Sequence, residues 1–239
     1  MKRPKTCRYI FSLLLISLAL LPLQAQDKTE AKKEKAPLLS GVAVSADLVG
    51  FAMKAFGAKY ANMEVGARIN ILDKFFPAAE LGIGDCHREG AETGNTFSST
   101  APYMRFGLDY NFNKKHGGNR LFGIFRYGFS SYKYDIGNDT FTDPTYNVTA
   151  PLDMGGLTAT AHWLEFGVGI ETKIWSFVRL GWSIRYKTQL SLSYHEDIVP
   201  YFIPGFGKND GSGWGGTMNL IFDVGKTVKK AKDKQVTDK

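Results

Sequence analysis

Hydrophobic and polar residues alternate with a period of two along most of this chain, and the alternation recurs in eight segments. Over residues 60–72, one face carries Ala61, Met63, Val65, Ala67, Ile69 and Ile71, and the other Tyr60, Asn62, Glu64, Gly66, Arg68 and Asn70. Over residues 101–112, Pro102, Met104, Phe106, Leu108, Tyr110 and Phe112 oppose Tyr103, Arg105, Gly107, Asp109 and Asn111. The longest segment sets Val178, Leu180, Trp182, Ile184, Tyr186, Thr188, Leu190 and Leu192 against Arg179, Gly181, Ser183, Arg185, Lys187, Gln189 and Ser191. Weaker versions cover residues 41–54, 76–84, 121–134, 159–172 and 213–224. Successive side chains of a strand point to opposite faces, so the pattern predicts one all-β domain.

Strand length and loop pattern then choose between a membrane barrel and a water-soluble one. The segments run about 9 to 17 residues, enough for the roughly 9–11 that a tilted strand needs to cross a bilayer and more than the usual 5–6 of globular sheets. Tight connections at residues 73–75 and 173–175, and a medium one at 113–120, alternate with long ones at 85–100, 135–158 and 195–212. Short turns at one end and long loops at the other are the habit of outer-membrane barrels. Only the first outer loop, at residues 56–58, is short. The expectation is an eight-stranded antiparallel transmembrane up-and-down β-barrel of a Gram-negative outer membrane, with both termini periplasmic. Girdle aromatics are expected at Phe75, Phe76, Phe112, Trp175 and Phe222 on the periplasmic rim, and at Trp163, Tyr134, Tyr194 and Trp214 on the outer one.

The ends of the chain adjust the charge picture. Lys2, Arg3, Lys5 and Arg8 precede an apolar run over residues 10–21 and a small residue, Ala25, the order of a secretory signal cut after Ala25. Residues 1–25 are therefore expected to be removed, 26–39 to form a flexible periplasmic leader, 40–224 the barrel, and 225–239 a basic, disordered periplasmic tail. The formal charge of +7 includes the four basic residues of the signal, so +3 remains, and Lys226, Lys229, Lys230, Lys232, Lys234 and Lys239 all sit in the tail. The body is thus close to neutral, which with export excludes nucleic acid as a partner. Cys86 is the one thiol outside the signal and reads as idle near a loop.

If the apolar faces meet lipid, the inward face carries Asp47, Glu64, Arg68, Glu80, Arg105, Asp109, Arg126, Glu165, Glu171, Arg179, Arg185, Lys187 and Asp223. An eight-stranded barrel is just wide enough for side chains to fill, so these charges predict a packed, roughly neutral network and no open pore. No catalytic, metal or cofactor site is assigned. His162 with Glu165, or His195 with Glu196, Asp197 and Ser193, would supply the parts of a lipid hydrolase or acyltransferase at the outer rim, but no spacing marks them as a triad. Asp135, Asn138, Asp139, Asp143 and Asp153 lack the regular oxygen spacing of a calcium loop. The loop at residues 201–209 offers apolar Tyr201, Phe202, Ile203 and Phe206 with Lys208 and Asn209. It is the candidate outer interaction site, either meeting a partner or folding down to cap the barrel, where Lys208 and Asn209 would pair with outer-loop acids.

The stretches FPAAELG at residues 76–82, APYMRFGLDY at 101–110, RYGFSSYKYD at 126–135, HWLE at 162–165, GWSIRYK at 181–187 and IPGFGKN at 203–209, followed by Trp214-Gly215, resemble an uncharacterised domain-of-unknown-function family of outer-membrane β-barrel proteins from Gram-negative Bacteroidota. The resemblance spans about residues 40–224 and implies fold and location without an activity. The expected function is structural or interactive. The expected partners are outer-membrane lipid, the barrel-assembly machinery and an envelope protein or surface glycan. A lipid-modifying or small-ligand-binding barrel, and a soluble periplasmic barrel, stay open as alternatives.

Overall fold

A computed structural model describes residues 39–90, 94–113, 119–142, 145–146, 149–195 and 198–224. The expected signal and tail lie outside these residues, as does the leader except for Leu39, which begins the first strand. The elements in chain order are β1 (Leu39–Asp47), α1 (Leu48–Ala55), β2 (Tyr60–Ile71), β3 (Phe75–Glu89), β4 (Asn95–Asn111), β5 (Arg120–Thr142), β6 (Thr149–Lys173), β7 (Val178–Tyr194), β8 (Phe202–Ile203), β9 (Gly207–Lys208) and β10 (Ser212–Val224). Eight of the strands close into an antiparallel barrel in the order β1-β10-β7-β6-β5-β4-β3-β2, while β8 and β9 form a separate hairpin. Each barrel strand pairs with its neighbours in sequence, and the pairing of Val42 with Val224 seals the ring. The described chain thus enters and leaves at one end.

Alternation places the apolar side chains outside. Val44, Val65, Ile69, Leu81, Ile83, Phe106, Phe166, Val168, Ile170, Trp182, Ile184 and Phe222 are all exposed on the outer wall, whereas Glu64, Glu80, Arg105, Asp109, Arg126, Glu165, Arg179 and Arg185 are buried inside. A folded domain in water buries the opposite set.

Several expectations change at the ends of the strands. The alternation at residues 41–54 is strand only as far as Asp47, where α1 begins. The Asp47 carboxylate accepts the N–H groups of Val49 and Gly50, both at 3.2 Å, as a helix N-cap. Ala, Met and Lys in the following turn suit a helix better than a strand. Helix α1 packs on β2 through Gly50, where any Cβ would strike the Asn62 carbonyl. Two of the three expected long outer connections, 85–100 and 135–158, are largely strand as well: β5 and β6 run 23 and 25 residues and pair from Arg120–Glu171 up to Thr142–Thr149. Chain leaving the apolar belt still has backbone groups to satisfy, and extending the ladder does so.

Face assignments also change where the ladder slips. Between His162–Ser191 and Trp163–Gln189 the pairing of β6 with β7 skips Leu190, and an extra residue inverts the faces beyond it. Leu192 therefore packs on the interior cluster instead of sharing the outer face with Trp182 and Ile184. The expected girdle loses three members: Phe76, Tyr134 and Trp163 are buried inside. Phe75, Phe112, Trp175, Phe222, Tyr194 and Trp214 remain exposed.

Candidate functional site

The interior is stacked in three layers. At the end where β1 begins, Phe76 and Phe122 meet edge to face at 5.1 Å between ring centroids. The Arg68 guanidinium lies 5.5 and 5.2 Å from their centroids and that of Arg120 4.9 Å from Phe76, a cation–π arrangement. Arg68 pairs with Glu171. Arg120 reaches Asp73 at 2.8 Å and Glu171 at 3.7 Å, and Arg179 reaches Asp223 at 2.9 Å. Arg120 and Asp73 are network members that the sequence reading left in turns.

The middle layer is the densest. Glu165, fully buried, accepts from Arg105 Nη1 at 2.9 and 3.1 Å, from Arg185 Nη1 at 3.2 Å and from the Trp163 indole N–H at 2.8 Å. Glu80 is bonded by Arg126 Nε at 3.0 Å and Arg185 Nη1 at 2.9 Å, and Arg105 Nε lies 3.0 Å away. Glu64 pairs with Arg105 and accepts the Tyr103 hydroxyl at 2.9 Å. Asp109 takes Arg126 at 2.5 Å. The strand register itself sets Glu80 opposite Arg105, Arg126 opposite Glu165, and Glu165 opposite Lys187. Opposite charges facing each other across a pair of strands support the pairing, and a buried ion is tolerated only when paired and hydrogen-bonded. Asp47 departs from the expected network, because its carboxylate is taken up by backbone N–H groups, including Met218 N at 3.1 Å.

The third layer is aromatic and contains the loop singled out in the sequence. Phe202, Ile203 and Phe206 are buried against Cys86, Phe97, Tyr103, Tyr132, Tyr134 and Trp163, and Phe206 meets Trp163 edge to face at 6.0 Å. The β8-β9 hairpin therefore folds into the barrel mouth as a plug, the capping form of the expectation. Lys187 Nζ holds it from below, donating to the carbonyls of Gly205 at 2.7 Å and Phe206 at 3.2 Å. Asn62 Oδ1 accepts Gly205 N–H at 3.1 Å from the side. Gly205 is required twice over: its φ is +81°, and a Cβ would press into the Tyr103 ring. Tyr201 stays partly exposed under the Arg88 guanidinium, 4.4 Å from its centroid. Lys208 pairs with Asp210 at 2.9 Å on the surface, and Asn209 bonds the Pro200 carbonyl at 2.9 Å, both inside the same loop. Cys86, expected near a loop, lies in β3 beneath this plug and is buried.

Beside the plug the mouth keeps a cavity of about 910 Å³. Its floor is Glu64, Tyr103, Arg105 and Lys187, and Trp214 and Lys59 stand on its rim. Among the described residues, the expected partners His162 and Glu165 are not brought together. His162 points outward on β6, bonded to the Tyr127 hydroxyl at 2.6 Å, while Glu165 of the same strand is buried within the barrel. His195 is exposed, and Glu196 and Asp197 lie outside the described residues, as do Asp143 and His116. No group of three metal-ligating side chains occurs among the described residues.

Among solved structures the chain is similar to Ail, the attachment invasion locus protein of Yersinia pestis, in complex with the heparin analogue sucrose octasulfate. That match has 10% identity over 77% of this chain and 93% of that one, with a TM-score of 0.37. It is also similar to Acinetobacter baumannii CarO, at 11% identity over 77% and 97% with a TM-score of 0.38. The outer membrane protease OmpT from Escherichia coli matches at 9% identity over 78% and 93%, with a TM-score of 0.35. No curated protein matches. A family model covers nearly the whole chain, residues 6–223, and the protein belongs to that family, the domain of unknown function DUF6048.

Proposed function

We propose that this protein is an outer-membrane barrel, closed to diffusion, with a structural or interaction role carried by its outer end. One observation carries the reading: the exposed wall is apolar around the ring while the buried interior is ionic. Lipid hydrocarbon as the solvent removes the usual reason to hide apolar side chains, and a closed ring leaves no open sheet edge in it. Three filled layers leave the interior without the aqueous channel of a porin. Its partners in this reading are membrane lipid around the wall, the assembly machinery that inserts it, and an envelope protein or surface glycan at the plugged mouth. Fractionation of cells expressing the full chain, with protease shaving of intact cells, tests it. Recovery with outer membranes and cleavage confined to the plug end are expected. A product released with the soluble periplasm overturns it.

A further inference from the structure

The wall of this barrel is not uniformly laced. The β4-β5 ladder breaks off after Ser98–Asp135 and resumes at Met104–Phe129 in the same register. In between, Pro102 has no N–H to give, and side-chain hydroxyls bridge the two strands instead. Ser130 Oγ donates to the Pro102 carbonyl at 3.0 Å and Ser99 Oγ to the Lys133 carbonyl at 2.9 Å. Along the seam each strand stays paired on its other side, β4 with β3 and β5 with β6. The interruption is therefore a local seam in a closed ring.

An apolar groove of about 500 Å³ lies against the outside of this seam, lined by Met63, Val65, Leu81, Ile83, Met104 and Phe129. Phe51 of α1 also borders it, and Ser130 and Ser131 form its polar edge. The groove occupies the upper edge of the apolar wall: on β4 the outward residues are apolar as far as Pro102 and become Thr100 and Ser98 beyond it, and on β5 they pass from Phe129 to Ser131 and Lys133. Behind it stand Glu64 and Tyr103, which also line the mouth cavity. The two spaces share a partition made of those two side chains and of Gly82, where a Cβ would strike the Tyr103 ring. Beside the seam the Tyr132 hydroxyl is buried without a hydrogen-bond partner among the described residues.

We infer that this groove is a binding site for one acyl chain of an outer-leaflet membrane lipid, seated under Phe51 with its path leading through the β4-β5 seam to Tyr103. The inference rests on the bilayer reading above, because the groove is continuous with the lipid-facing wall and its lining offers a hydrocarbon chain apolar contact throughout. An aromatic at the boundary of the belt is the residue type favoured at that depth. Phe51 borders the site, and two hydroxyl bonds in place of a ladder close the seam beside it.

Full-length protein reconstituted in phosphatidylcholine vesicles doped with a phospholipid bearing a diazirine near the end of its acyl chain provides the test. After irradiation, labelled residues are mapped by mass spectrometry. Met63, Met104, Phe129 and Tyr103 are expected to carry several-fold more label than Val168 and Ile184 on the opposite wall. Equal labelling of the two walls, or an unlabelled Tyr103, overturns the inference. Label missing from Val168 and Ile184 as well refutes the bilayer reading instead. Leu81→Trp, which fills the groove from the outer wall, should remove the excess while leaving Ile184 labelled as before. Heat-dependent gel mobility reports whether that variant has folded.

Discussion

Replacing Glu165 by leucine tests whether the interior charges act as a balanced set. The substitution removes an acceptor shared by Arg105, Arg185, Lys187 and Trp163. The losses are unequal. Arg105 keeps Glu64 and Glu80, and Arg185 keeps Glu80 at 2.9 Å and Glu64 at 3.9 Å. Among the described residues, Lys187 is left with the carbonyls of Gly205 and Phe206. Removing one partner of a buried pair costs about 3–5 kcal/mol, chiefly through the uncompensated charge left behind. Glu165→Leu is expected to fall in that range, with Lys187 carrying most of the penalty. The double variant Glu165→Leu, Lys187→Met removes one charge of each sign and should recover about 0.5–3 kcal/mol of the sum of the single losses, the usual size of coupling between residues in one network. Denaturant unfolding in vesicles, followed by tryptophan emission and by gel mobility, reads both. A single-variant loss below about 1 kcal/mol, or strict additivity in the cycle, would refute the claim that charge balance governs this layer.

Other consequences are measurable in the same preparation. Ile184→Lys on the exposed wall of β7 should cost about 2–4 kcal/mol in a bilayer, against at most about 0.5 kcal/mol if that wall faced water; denaturant titration separates the two. Gly205→Ala forces a side chain into the Tyr103 ring at positive φ, with about 1–3 kcal/mol of strain. It should loosen the plug, so Cys86 in protein lacking residues 1–25, and with them Cys7, should react faster with a maleimide than the buried wild-type thiol. No acceleration would sink the plug assignment. Deleting the loop between Pro200 and Asp210 should leave planar bilayers without conductance steps, because the Glu80, Arg105, Arg126 and Arg185 layer lies below the plug and remains. Stepwise currents from that deletion would show that the hairpin alone seals the barrel.

Much of the architecture was legible because period two carries face as well as element. Parity put Glu64, Arg105, Glu165 and Arg185 on the polar face of their strands, and strand length with loop pattern turned that face inward. The register that sets Glu80 opposite Arg105, by contrast, emerges only from the pairing of two segments. One more residue of the same alternation would have brought in Arg120, since residues 120, 122 and 126 share a face. Helix α1 was hidden because Leu48, Gly50 and Ala52 continue the period of two, although Asp47 ahead of two N–H donors and the Ala-Met-Lys-Ala run were signals of a cap and a helix. The bulge at Leu190 leaves no trace in hydrophobicity, so Leu192 was assigned to the wrong face. The plug was visible as an apolar loop rich in Pro and Gly, but its destination inside the mouth depends on Lys187 and Asn62, which lie 18 and 143 residues from Gly205.

That last separation bears on how the molecule is made. The hairpin that fills the mouth lies between β7 and β10 and bonds to Asn62 on the second strand, and the ring is sealed by Asp47 and its neighbours meeting Met218 and Asn219, 171 residues away in the case of the Asp47–Met218 bond. Contacts so distant along the chain make folding slow. Until the closing strand arrives, β1 and β7 are both bare edges open to strays, and the aromatic layer has no centre to pack around. Assembly is therefore committed only by the last two dozen described residues, and a chain cut short before β8 would be a hollow, unsealed sheet ready to pair with its own kind.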